Sequence, residues 1–183
     1  MTFELVQESN NETLLSDARE RLAAAAFMPE KEVQNGSEKT SEKLEENLHT
    51  VSREIDVKPD EIWKAIGKFD ALPWHPAIQS GKVETKNNET FRTLVAKGGS
   101  PVFVEKLLEQ GPNFIRYKMT DGLPLQPEAT LKIEDNGRGG TRISWSARID
   151  GADQKLVDAV SNGVMNFYAA GLDDLQRRYA KGK

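Results

Sequence analysis

Apolar and polar residues alternate from about position 51 onward in a way that the first 50 positions do not share. Val51, Arg53, Ile55 and Val57 interleave with Ser52, Glu54, Asp56 and Lys58, the two-residue period of a half-buried strand. Lys58-Pro59-Asp60-Glu61 then marks a helix start, because proline is tolerated in a first turn and acids favour the positive end of the helix dipole. Ile62, Trp63 and Ile66 give that helix an apolar face, and Gly67 ends it. The stretch from Phe69 to Pro76 sets two prolines around Trp74 and His75 and reads as a short rigid turn.

Six strand-like segments follow, at about 77–86, 90–97, 101–110, 113–120, 127–135 and 140–149. They are separated by turn signals: Asn87-Asn88, Gly98-Gly99, Gly111-Pro112, Asp121-Gly122 with Pro124, and Asn136-Gly137 with Gly139-Gly140. Connections this short imply antiparallel hairpins and hence a meander. From about 153 to 180 the chain has no proline and carries Leu156, Val160, Val164, Phe167, Gly171 and Leu175, the pattern of a long helix with one apolar face. The order predicts an α+β domain in which one curved, seven-stranded antiparallel sheet wraps around the last helix. A parallel sheet would need a helix between strands.

Upstream of residue 50 the chain is rich in Glu, Lys, Asn and Ser, and all three tryptophans and all three tyrosines lie downstream. Leu14, Ala18, Leu22 and Ala25 or Ala26 form a short helical stripe, and Glu/Lys pairs support a second helix from about Ser37 to Leu48. Pro29 and Asn35-Gly36-Ser37 separate the two. The domain plan is therefore a polar N-terminal extension over 1–48, partly helical or disordered, and a folded domain over 49–183. The extension is either a mobile tail or an arm for a protein partner or a second copy.

Composition narrows the function. A net charge of −4 and a pI near 5.4, with basic and acidic residues interspersed, argue against nucleic acid as a partner. The chain has no cysteine, which removes disulfides, thiol nucleophiles and thiolate metal sites. Its only histidines, His49 and His75, form no ligand cluster with carboxylates, so neither a metal nor another cofactor is expected. The first residues lack the basic and apolar regions of a signal peptide, and no run approaches the roughly 20 apolar residues needed to span a bilayer. A cytoplasmic protein without stable membrane insertion is expected.

Five stretches carry a resemblance to the START-like (SRPBCC) superfamily, in particular its polyketide cyclase/dehydrase and lipid-transport family. They are Val57 to Trp63 (VKPDEIW), Phe69 to Val83 (FDALPWHPAIQSGKV), Phe103 to Leu108 (FVEKLL), Gly140 to Trp145 (GTRISW) and Tyr168 to Leu175 (YAAGLDDL). The resemblance implies a helix-grip fold with two short helices after the first strand. It also implies a cavity for a small apolar molecule, such as a lipid or polyketide, between sheet and last helix.

Gly163, Ala170 and Gly171 put small residues on or beside the inner face of the last helix, where leucine would close the space. An empty cavity of about 300 Å³ would cost roughly 7 kcal/mol at ~24 cal/mol per Å³, close to the whole stability of a domain. The space must then be occupied, wetted, or collapsed around Phe167 and Trp145. Alternation and the resemblance together nominate the wall: Arg92, Leu94 and Ala96; Phe103 and Glu105; Tyr117 and Met119; Thr130 and Trp145; Val160, Gly163, Val164 and Phe167; and, at the mouth, Trp74, His75 and Gln79. Gln79 aligns where the plant abscisic-acid receptors of the superfamily carry a lysine, so a strongly anionic ligand loses that partner.

Glu105, His75 and Tyr117 are the candidates for proton transfer. A carboxylate in an apolar cavity has its pKa raised by desolvation, and a histidine titrates near neutrality. The competing readings are an ion pair of Glu105 with Arg92 or a hydrogen bond to Tyr117, and a packed cap for His75. Three functions follow: a binder or carrier of a small hydrophobic molecule, which leads; a cofactor-independent cyclase, dehydratase or lyase; and an interaction module with a vestigial cavity.

Overall fold

The computed structural model describes residues 47–180; the two helices expected upstream, and nearly all of the 1–48 extension, lie outside the described residues. Seven strands form one antiparallel sheet: β1 (Leu48–Ile55), β2 (Ile78–Lys86), β3 (Glu89–Ala96), β4 (Val102–Gln110), β5 (Phe114–Asp121), β6 (Glu128–Asp135) and β7 (Thr141–Arg148). Helix α1 (Pro59–Ile66) follows β1, and helix α2 (Gln154–Ala180) ends the described chain. The strand order is β1-β7-β6-β5-β4-β3-β2, so hairpin pairing runs unbroken from β2 to β7 and β1 closes the series beside β7. This is the helix-grip arrangement.

Leu48 and His49, expected at the end of the upstream helix and at the domain boundary, belong to β1, where they pair with Arg148 and Ala147. Of the two short helices expected after β1, only α1 forms. The second stretch is a pair of turns, with His75 N–H bonded to the Leu72 carbonyl at 3.0 Å and Ile78 N–H to the His75 carbonyl at 3.1 Å. Pro73 and Pro76 withhold two donors a helix would need, and each pushes its preceding residue out of helical geometry. Leu72 has a positive φ of 49° and is held by its N–H bond to Asp70 Oδ1 at 3.0 Å.

Register shifts bend the sheet where the concave wall is built. They fall between Val104 and Glu105 and between Leu107 and Glu109 on β4, and between Ile78 and Ser80 on β2. Such bulges kink a strand and raise its twist. Asp153 caps α2 by accepting from Lys155 N–H at 2.9 Å. The helix then buries Val157, Val160, Ser161, Val164, Tyr168, Gly171, Leu172 and Leu175 on one face. That face packs mainly against β1, and Arg53 of β1 bonds Asp173 at 2.6 Å. Inward residues of β6 and β7, among them Leu131, Ile133, Ile143, Trp145 and Ala147, complete the core.

Candidate functional site

The turn that carries Trp74 and His75 lies against the middle of α2. His75 is 2% exposed, and its Nδ1 accepts from Ala77 N–H at 3.1 Å. The other ring nitrogen must therefore carry the proton, and Nε2 donates to the Phe167 carbonyl at 2.9 Å. Burial pulls the His75 pKa down to about 4, the Phe167 carbonyl opposing this only in part. The ring stacks on Phe167 with centroids 3.8 Å apart and planes 13° from parallel. A side chain on Gly171 would begin 2.5 Å from His75 Cδ2. The missing side chain is thus filled by the imidazole and leaves no space. Gly163 is half-buried and Ala170 exposed, so neither opens the inner face as the sequence suggested. His75 is a packed cap with both nitrogens committed to backbone.

Beside it sits a neutral aromatic block. Trp145 is fully buried, lies parallel to Tyr168 with centroids 4.1 Å apart, and donates its indole N–H to the Tyr117 hydroxyl at 2.8 Å. The Tyr117 and Tyr168 hydroxyls also bond each other, and desolvation pushes both pKa values well up. Neither phenol is suited to proton transfer near neutrality. Trp74, 5% exposed, packs on Trp145 at 5.5 Å, and its indole N–H has no hydrogen-bond partner.

Glu105 is 4% exposed and forms an ion pair with Arg92, 2% exposed, directly opposite on β3. The guanidinium lies over the rings of Phe69 and Tyr117, 4.5 and 4.7 Å from their centroids, and reaches the Asp70 carbonyl at 3.3 Å. Of the readings weighed for Glu105, the structure gives the ion pair. A carboxylate held this way accepts from its partner before it accepts from a substrate.

Leu94 and Phe103 also face each other across β3 and β4, and Phe103 reaches across to Phe167 with ring centroids 6.2 Å apart. Met119 lies opposite Glu105 on β5, and Ala96 ends the same face of β3. Val160 and Val164 are buried on α2. Two nominated residues are elsewhere. Thr130 lies on the other face of β6, because its neighbour Leu131, not Thr130, pairs with the inward Trp145. Gln79 is exposed in the β2 bulge and accepts from Gly98 N–H at 3.2 Å. Sequence reasoning missed Tyr168, although it stands four residues after Val164 and three before Gly171, in the middle of the apolar stripe. It missed Phe69 and Leu72 too, which sit in a segment without periodicity.

The gap bordered by Ile66, Leu72, Arg92, Ile115, Tyr117 and Trp145 holds about 200 Å³ of non-atom volume, none of it wide enough for a water molecule. Nor do the described residues contain a group of three or more histidine or acidic side chains able to hold a metal ion.

The model of one family, described as polyketide cyclase / dehydrase and lipid transport, matches residues 49–180. The chain belongs to this family. Solved structures repeat the polyketide cyclase/dehydrase family's fold. The protein XoxI from Bacillus cereus is 24% identical, with a TM-score of 0.63 over 73% of this chain and 96% of that one. A Thermobifida fusca protein is 22% identical, with a TM-score of 0.62 over 74% and 94%. A START superfamily protein from Mycobacterium smegmatis is 17% identical, with a TM-score of 0.57 over 72% and 97%. No curated protein matches the chain. Within the described part of this family member, no helix is long and apolar enough to cross a membrane.

Proposed function

We propose that this protein binds or carries a small hydrophobic molecule on the concave side of the sheet, against α2, without transforming it. The observation that carries the reading is a set of half-buried apolar side chains packed against the core, among them Phe103, Leu107, Leu123, Leu125, Met165 and Phe167, of which Phe103 on β4 and Phe167 on α2 meet with ring centroids 6.2 Å apart. Fully packed cores bury such groups; incomplete burial beside a curved wall is what a ligand would finish. Family membership supports the same chemistry. Against turnover stand the commitments of all three candidates: His75 to backbone, Tyr117 to two aromatic partners, Glu105 to Arg92.

Native mass spectrometry of the protein purified from its own source, followed by release of any bound compound, tests this. The expected result is a retained apolar molecule that raises Tm when added back and is recovered unchanged after long incubation. A chemically altered compound would favour the enzyme reading. No adduct, with no stabilisation by a panel of lipids and polyketides, would favour a second reading drawn from the closed core, an interaction module.

A further inference from the structure

The outer edge of the sheet has a self-complementary form. β2 ends the strand order, so among the described residues no strand pairs with its far side. Asn87 and Asn88, with φ of 52° and 62°, make a two-residue hairpin turn of the mirror-image type that links β2 to β3. In such a hairpin the flanking pair, Lys86 and Glu89, exchanges both backbone bonds, and bonded and non-bonded pairs alternate from there. Lys86, Glu84 and Lys82 therefore spend their backbone groups on β3. Thr85, Val83 and Gly81 are the non-bonded members and point theirs outward. The Thr85 and Thr90 hydroxyls, 3.4 Å apart, show the close side-chain approach of a non-bonded pair.

Unpaired edges invite any strand, and lysines on them usually discourage it. Here the lysines alternate with an acid. Lys82 and Lys86 both lie beside Glu84, at 3.0 and 2.7 Å. Consider a second copy of β2 laid antiparallel on the first, outward amides matched. A two-fold axis through Lys82 or Glu84 sets like charges opposite each other. An axis through Gly81 or Thr85 runs the pairing into the bulge or the turn. An axis through Val83 does neither. It sets Val83 on Val83, bonds Gly81 to Thr85 on both sides, and puts each Lys82 opposite the Glu84 of the other copy in the closer, non-bonded spacing. Val83, 42% exposed on the concave side with Arg92 as its cross-strand neighbour, would be covered by its symmetry mate.

We propose that two copies of this chain associate through β2, antiparallel about Val83, joining their sheets edge to edge. This surface is distinct from the concave site and does not depend on what that site binds.

The test is sedimentation equilibrium of the full chain at micromolar to high-micromolar concentration, with three variants. Val83→Pro removes an outward N–H that the protein's own ladder does not use, so it should keep the fold and abolish the dimer. Lys82→Glu turns both cross-copy attractions into repulsions and should weaken association about tenfold or more, while Lys82→Glu with Glu84→Lys should restore it. Since the chain has no cysteine, Val83→Cys should form a disulfide-linked dimer under mild oxidation. Wild type that stays monomeric throughout overturns the proposal. So does a dimer indifferent to Val83→Pro, or charge variants that fail to weaken and restore in that order.

Discussion

Two buried polar constellations share the concave face, and they are satisfied by opposite means. In the neutral one, beside α2, His75, Trp145, Tyr117 and Tyr168 answer one another or the backbone, and rings stack at 3.8 and 4.1 Å. In the charged one, on β3 and β4, Arg92 and Glu105 have each other, and two aromatic rings face the cation. Loss of one member of the neutral block leaves a hydrogen bond unmade among many contacts. Loss of one member of the pair leaves a charge in the core. The first region should degrade gradually, the second abruptly.

The largest effect should therefore come from breaking the pair on one side only. Arg92→Met leaves the Glu105 carboxylate buried without its counter-charge, and the expected loss is about 3–5 kcal/mol of unfolding free energy. Arg92→Met combined with Glu105→Leu should recover most of it, because well-packed apolar replacements of buried pairs are often neutral. Urea unfolding of the two singles and the double measures this. If the double variant is as unstable as the sum of the singles, the pair is not an all-or-none unit.

The neutral block should show itself through pH. The folded His75 pKa of about 4 lies below the unfolded value of about 6.5, so the unfolded chain takes up a proton that the folded chain refuses. The stabilisation is fully present above pH 6.5 and is lost as pH falls toward 4, amounting to about 3 kcal/mol if the whole shift is realised. His75→Leu should be less stable than wild type at pH 7.5, having lost its bonds to Ala77 and Phe167. It should also lose less on acidification through this window. Parallel pH–stability curves for the two proteins would show that His75 is not the group responsible.

The elements of the fold were legible where a segment has two unlike faces. Ala129, Leu131 and Ile133 alternate with Glu128, Thr130 and Lys132, and Asn87-Asn88 is a hairpin turn by its own backbone preferences. Placing Thr130 on the inner wall went against that alternation, and the pairing of Leu131 with Trp145 shows the cost of a one-residue slip. The content of the site was less legible. A glycine on the inner face of a helix is equally compatible with space for a ligand and with a close neighbour. Only the approach of the turn at residues 69–77 decides that Gly171 serves His75. That turn has no periodicity to read, since its two prolines break every regular pattern.

The smallest effects should fall on Gln79 and Thr130, and they sharpen the boundary of both constellations. Gln79 is exposed in the β2 bulge, and its one bond is to the Gly98 amide; Thr130 lies on the outer face, opposite Ser146. Neither touches the charged pair or the aromatic block, so Gln79→Ala and Thr130→Val should each change stability by no more than about 0.5 kcal/mol. Their influence on retention of an apolar ligand should be equally slight, whereas Phe103→Ala, which removes the β4 ring that meets Phe167 with centroids 6.2 Å apart, should weaken it. An inversion of that order would mean that the ligand sits on the convex side or at the β2 edge. The concave face would then be a closed core alone, however its two constellations respond to substitution.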